Sequence, residues 1–211
     1  PVMFFSLDPG PGINALVMRY KREIRELAGE QLFLNDPPHL TAYLAAFERQ
    51  EVVLPTTAKL AAKLSAIEIQ VIGWHVFTSD PLTGGNTLVF QLSERSQTEL
   101  RIFQQRLIEE FAPLRDRSAT ISHYLRQFHK LSQQRRDSIE ECGFPFTGAD
   151  WHPHYTVASI RPSDWPNVAS QVLKRVPTIS EQCGALTVYG LEREEPVAVA
   201  SYPLRMREAA A

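Results

Sequence analysis

One four-residue pattern occurs twice, and it restricts the architectures open to this chain. His39-Leu40-Thr41-Ala42 and His154-Tyr155-Thr156-Val157 each read His, apolar, Thr, apolar, inside an extended apolar stretch. On a β-strand, residues two apart face the same side. Each copy therefore predicts a strand with an imidazole and a hydroxyl on one face and apolar groups turned to a core. A proline precedes each copy, Pro38 and Pro153. Each strand leads into an amphipathic helix, predicted over 56–67 in the first half and 166–176 in the second. A glycine-bearing strand follows, Val71-Ile72-Gly73-Trp74 and Val188-Tyr189-Gly190-Leu191, and then a closing strand over 86–92 and 197–204. Gly73 lies 34 positions after His39 and Gly190 lies 36 after His154. A shared order of this kind points to an internal duplication, and with only two units it gives a pseudo-symmetric pair rather than a solenoid.

The remaining punctuation fits one continuous unit. Val2 to Leu7 reads as an apolar strand ended by Asp8-Pro9-Gly10-Pro11-Gly12. A helix follows with Ile13, Leu16, Val17, Tyr20, Ile24 and Leu27 on one stripe, stopping at Gly29. The connection through Thr83-Gly84-Gly85-Asn86 reads as a hairpin loop longer than two residues. Ser96-Gln97-Thr98-Glu99 is a capping box, ahead of Leu100, Phe103, Leu107 and Phe111 at helical spacing. A further helix is predicted over about 118–141. No linker-like segment divides the 211 residues, which can bury one substantial core.

Composition sets limits. With 44% hydrophobic and 22% charged residues, the chain is of ordinary globular type, and no apolar run approaches a membrane span. The patch Met3-Phe4-Phe5 is too short for a signal peptide, and the start at Pro1 suggests that residues ahead of it are missing or processed. Cys142 and Cys183 have no metal or redox spacing; both are expected as buried free thiols in a reducing cytoplasm. A net charge of −2 disfavours a grip on long duplex nucleic acid and favours a small nucleotide or an oligonucleotide end. The basic groups at Lys21-Arg22, Arg135-Arg136 and Arg205 to Arg207 read mainly as solvated faces.

Two His-apolar-Thr-apolar motifs in matching units resemble the 2H phosphoesterase superfamily, which includes 2′-5′ RNA ligase-like proteins and cyclic nucleotide phosphodiesterases. The resemblance covers most of the chain from residue 38 onward. It implies an α+β, bilobal fold in which two mainly antiparallel sheets face a central cleft, with helices outside and a pseudo-two-fold axis through the cleft. The whole of 1–211 is then one bilobal domain. The motif histidines stand 115 positions apart, more than the resemblance leads one to expect, and the excess is placed in a helical insertion at about 96–147. That stretch could be a lid over the cleft or a support for one sheet, and bulky apolar residues at helical spacing favour support. Substrates implied are 2′,3′-cyclic nucleotides, ADP-ribose cyclic phosphate, 2′-5′ linked oligonucleotides and RNA 3′ ends, handled by a monomer without cofactor or membrane. The absence of a strongly basic rim weighs more against the ligase activity than against the phosphoesterase one.

The chemistry follows from the residue types. An imidazole with a pKa of about 6.5 can be neutral or protonated near neutrality, so two facing histidines can divide proton removal from proton delivery. His39 and His154 are the catalytic candidates, which one is acid being open, with Thr41 and Thr156 as donors to the non-bridging phosphate oxygens. Substrate-binding candidates are Tyr43 and His152, each one i+2 step from a motif, and Arg161 just past the second strand. Tyr43 reads equally as packing, and Trp151 as core or as a stacking surface at the rim. His75 is open between cleft and core, and His123 and His129 are expected to be exposed. Two alternatives stay open. His152 and His154, with His39, would suit a zinc site, although that reading leaves both threonines unexplained. A non-catalytic nucleotide or phosphate binder of the same fold is the other.

Overall fold

The computed structural model describes residues 1–207. Eight strands form two four-stranded sheets, every pairing within them antiparallel. The first sheet contains β1 (Val2–Asp8), β2 (Thr41–Ala46), β7 (Ala185–Glu192) and β8 (Glu195–Pro203), in the order β2-β1-β7-β8. The second contains β3 (Ile67–Phe77), β4 (Asn86–Leu92), β5 (Thr156–Ile160) and β6 (Ile179–Cys183), in the order β5-β4-β3-β6. Six α-helices accompany them among the described residues: α1 (Pro11–Ala28), α2 (Gln50–Ala61), α3 (Glu94–Phe111), α4 (Arg117–Tyr124), α5 (Gln133–Cys142) and α6 (Trp165–Val172). The fold is α+β and bilobal, as the family resemblance implies.

The duplication is arranged differently from its linear order. Each motif strand lies at a sheet edge beside the strand that precedes it in sequence, β2 beside β1 and β5 beside β4. The glycine-bearing strand of each half then crosses to the opposite sheet: β7 pairs with β1, and β3 pairs with β4. The closing strands are accordingly not equivalent. β4 is central in its sheet, whereas β8 forms an outer edge, and the spatial counterpart of β4 is β1. In this frame α3 stands where α1 stands, each an 18-residue helix linking a central strand to its motif strand. The surplus of the second half begins after Phe111.

Local chemistry explains where the elements start and stop. Central β1 is apolar and buried along Met3 to Leu7, with Ser6 the one polar exception. α1 carries Pro11 at its first position and ends at Gly29, whose φ of 68° a glycine adopts without strain. α2 runs over Gln50–Ala61, not 56–67; Pro55 sits inside it rather than opening it, and Ile67 belongs to β3. α3 is capped by Ser93, which accepts from the Ser96 amide, three residues ahead of the box predicted at Ser96. Buried Ser96 instead stitches the helix to β3, accepting from the Gln70 amide and donating to the Glu68 carbonyl. The helix predicted over 118–141 is broken into α4, a 3₁₀ stretch at Leu125–Lys130, and α5.

The surplus segment backs the first sheet. Asp116 donates its amide to the Ala46 carbonyl and Thr120 accepts from the Ala46 amide, so α4 closes the free edge of β2. Tyr124, Leu131, Ile139 and Phe144 join the same core as Phe5 and Phe111. Cys183 is buried and free; Cys142 is free but only half-buried, because it lies on the last turn of α5.

Candidate active site

Both motif histidines stand in extended lead-ins, with Thr41 and Thr156 as the first ladder residues of β2 and β5. Pro38 and Pro153 fix their own φ and force the residue before them into extended geometry. That residue's carbonyl then reaches the imidazole: Nδ1 of His39 lies 2.7 Å from the Pro37 oxygen and Nδ1 of His154 lies 2.6 Å from the His152 oxygen. A carbonyl only accepts, so each Nδ1 carries the proton and each Nε2 is left with its lone pair. The intervening residues are anchored alike. The Leu40 carbonyl accepts from the Leu7 amide at 3.2 Å and the Tyr155 carbonyl from the Phe90 amide at 3.0 Å. Leu40, Ala42, Tyr155 and Val157 are fully buried, while His39, Thr41, His154 and Thr156 remain partly exposed.

Immediately after each threonine the ladder shifts register, between Thr41 and Tyr43 on β2 and between Thr156 and Ala158 on β5. Such a bulge ends the alternation that a regular strand would continue. Tyr43 is consequently not a cleft residue. Its ring is buried behind Phe144 and beside Phe5, and its hydroxyl donates to the Cys142 carbonyl at 2.6 Å.

A cavity of about 670 Å³ opens between the sheets, and Thr41, His154, Thr156, His152 and Trp151 all contribute to its wall. The His39 ring is not part of that lining; it packs against Phe4 and Tyr189, with ring centroids 5.1 and 5.7 Å away. Phe77 braces His154 at 5.2 Å. Other parts of the wall come from residues that the sequence did not mark as belonging to a site: Phe33, the β3–β4 loop, and Lys130, Leu131, Arg135, Phe144 and Phe146 of the surplus segment. That segment is therefore both a support for β2 and a wall of the cavity. Arg135, read as part of a solvated face, is fixed by a two-point ion pair with Asp150 and lies over the Phe146 ring. The loop is tied down by a hydroxyl chain in which Thr87 donates to Asp80 and Ser159 to Thr83.

The two imidazoles differ in electrostatic setting. Burial pushes His154 down to about 4, and neighbouring His152, His39 and His75 add to the effect. Burial also lowers His39, with a smaller contribution from the Lys21 charge, but the Pro37 carbonyl and the carboxylates of Asp36 and Asp8 pull the other way. Asp8 is itself held by Ser6 and by the Tyr189 hydroxyl. His39 is the better holder of a proton.

Of the other candidates, His152 lines the cavity and stacks on His75 with centroids 4.3 Å apart. Its Nε2 is buried without a partner among the described residues. Trp151 is buried in the core and also contributes to the cavity wall. Arg161 is outside the site. It is exposed, pairs with Asp164 at 2.8 Å, and donates to the Glu30 and Ala28 carbonyls beyond the end of α1. It closes orphan carbonyls there, which its place in the sequence could not reveal. His123 and His129 are exposed. No group of three His, Cys, Asp or Glu side chains is gathered to hold a metal ion among the described residues.

Comparison with known proteins agrees with this fold. The family model of the 2'-5' RNA ligase superfamily matches residues 14–195. No curated protein matches the chain. Among solved structures, TT0787 of Thermus thermophilus is similar over 99% of this chain and 100% of its own, at 14% identity and a TM-score of 0.55. E. coli LigT complexed with ATP is similar over 97% of this chain and 98% of its own, at 12% identity and a TM-score of 0.54. LigT complexed with NADP+ is similar over 96% of each chain, at 14% identity and a TM-score of 0.51. The likeness in structure is one of fold; the match of the family model is one of sequence, and it spans most of the chain. This chain belongs to the 2'-5' RNA ligase superfamily.

Proposed function

We propose that the protein is a metal-independent phosphodiesterase acting on a cyclic nucleotide phosphate or a 2′-5′ linked nucleotide. The observation that carries this reading is the matched pair of Nδ1–carbonyl bonds, which leave each Nε2 with its lone pair. His154, kept neutral by burial, takes the proton of the attacking water. His39, favoured by Asp36 and Asp8, gives its proton to the departing ribose oxygen. Binding of an anionic phosphodiester raises the proton affinity of both rings and loads His39 for that step. Thr41 and Thr156 hold the non-bridging oxygens, and His152 offers its Nε2 to the substrate. A cavity of about 670 Å³ lies in the range that encloses a small ligand, and LigT, the neighbour in fold, has been solved with ATP and with NADP+. The substrate is accordingly a small nucleotide or an RNA end rather than a duplex. A cytoplasmic monomer belongs to the same reading, in keeping with two free cysteines.

The test is hydrolysis of 2′,3′-cyclic nucleotides and 2′-5′ dinucleotides by the wild type, His39→Ala and His154→Ala, with and without EDTA. Each substitution is expected to lower kcat by about 10²–10⁴-fold, with ligand binding kept and EDTA without effect. Activity abolished by EDTA and restored by a metal ion would overturn the two-histidine mechanism. Nucleotide binding by a wild type inert on the whole panel would make the protein a binder.

A further inference from the structure

The turns that deliver the two histidines are held by cations from the preceding helices, in the same way in both halves. Lys21, on α1, donates from Nζ to the carbonyls of Phe33 and Asp36, the latter at 3.0 Å. Arg101, on α3, donates from Nε to the Gly148 carbonyl at 3.1 Å and from its guanidinium to the Trp151 carbonyl at 3.4 Å. Phe33 and Gly148 each lie six residues before a motif histidine, and Asp36 and Trp151 each lie three before it. The backbone repeats as well. The Asp36 amide bonds the Phe33 carbonyl and the Trp151 amide bonds the Gly148 carbonyl, both at 3.2 Å. Phe33 and Gly148 both adopt left-handed φ, 72° and 56°. Phe33 does so without the freedom of glycine, so an external hold is required to keep it there.

We propose that Lys21 and Arg101 are a matched pair of positioning residues, each setting the aim of one motif histidine through the turn ahead of it. They touch neither ring. The chain continues from each clamped carbonyl through a proline-stiffened tripeptide to the imidazole, so a displaced turn moves the carbonyl that fixes Nδ1. Phe33 and Trp151, gripped by the clamps, also line the cavity, so each clamp sets a wall and a histidine together. A lysine that is only 1% exposed is costly to keep unless its donors are used, and Lys21 uses them on this turn. The halves differ in one respect: the clamp of the first is an amine that burial lowers to about 8, and that of the second is a planar guanidinium.

The experiment compares Lys21→Met, Arg101→Met and Arg101→Lys by imidazole NMR and by kinetics. His39→Gln and His154→Gln assign the two hydrogen-bonded Nδ1–H resonances. Lys21→Met is expected to shift or lose the His39 resonance and keep that of His154; Arg101→Met is expected to do the reverse. Arg101→Lys should restore the His154 signal in part. The kinetic arm rests on the phosphodiester reading above, and there each Met variant should lower kcat roughly 10- to 100-fold with KM little changed. A wild type inactive on every phosphodiester ends that reading but leaves the spectroscopic arm intact. Should Lys21→Met fail to fold, the partly exposed Arg101 decides alone. Both resonances unmoved in a folded Arg101→Met variant, or both lost together, overturns the proposal.

Discussion

Burial alone would leave His39 and His154 with the same weak hold on a proton, and their neighbours separate them. Carboxylates face His39 and imidazoles face His154. For the free protein, kcat/KM should therefore follow a bell: its acid limb near 4 from His154, its alkaline limb below the ordinary 6.5 from His39. Asp36→Asn removes a carboxylate that favours the imidazolium, so the alkaline limb should move to lower pH. A pH profile in which that limb stays or moves upward would remove His39 from the role of acid. That Thr41, His154 and Thr156 share one cavity was legible because a strand has period two. Tyr43 was not, since a bulge leaves no mark in one sequence, and Arg161 was not, since only the tertiary fold shows which helix end it meets. Lys21 was hidden for another reason: next to the apolar Tyr20 and in a basic pair with Arg22, it reads as a surface residue.

At the scale of elements, α3 holds the two halves of the site in register. Buried Gln104 donates to the Ala42 carbonyl, in the bulge of the first motif, and to the Phe146 carbonyl. Its oxygen accepts from the Gly148 amide, in the turn ahead of the second motif. Gln104→Leu leaves three backbone groups without their partner, one in a buried bond and two in part-buried ones, and should cost on the order of 2 kcal/mol in urea denaturation. A loss below about 1 kcal/mol would mean that water takes over these bonds. Strand positions and the long α1 and α3 could be read from apolar periodicity. The start of α2 could not, because Pro55 reads as a first-turn residue although the helix begins at Gln50. β6 escaped notice because its sequence, Ile-Ser-Glu-Gln-Cys, gains its place only by pairing with β3. The capping box at Ser96 had the right chemistry for a cap but was claimed by the backbone of β3.

For the molecule as a whole, the neutral state of His154 links folding to pH. Its folded-state pKa is about 4 against 6.5 for a free imidazole, so between those values the unfolded chain binds a proton that the folded one refuses. The stability that His154 contributes is full above pH 6.5 and is lost as pH falls toward 4. Denaturation midpoints of wild type and His154→Gln, measured from pH 7 to 4, should therefore draw together as pH falls, or cross. A difference independent of pH would show that His154 is charged in the folded protein. The repeat announced two related halves, but their strand order does not say which sheet each strand joins.

The exchange of β3 and β7 between the sheets has a consequence for ancestry. Residues 1–77 by themselves supply β1 and β2 without the neighbour that covers the inner edge of β1, and β3 without any partner. Residues 86–192 are incomplete in their turn, with β6 and β7 both left unpaired. A solitary half-length forebear would have carried raw strand edges in both lobes. Two such chains, each lending its glycine-bearing strand to the other, would close both sheets and enclose one cavity on their symmetry axis. The present chain has the connectivity that fusing such a dimer would give, and a single chain allows what a symmetric dimer could not have: carboxylates beside one histidine and imidazoles beside the other.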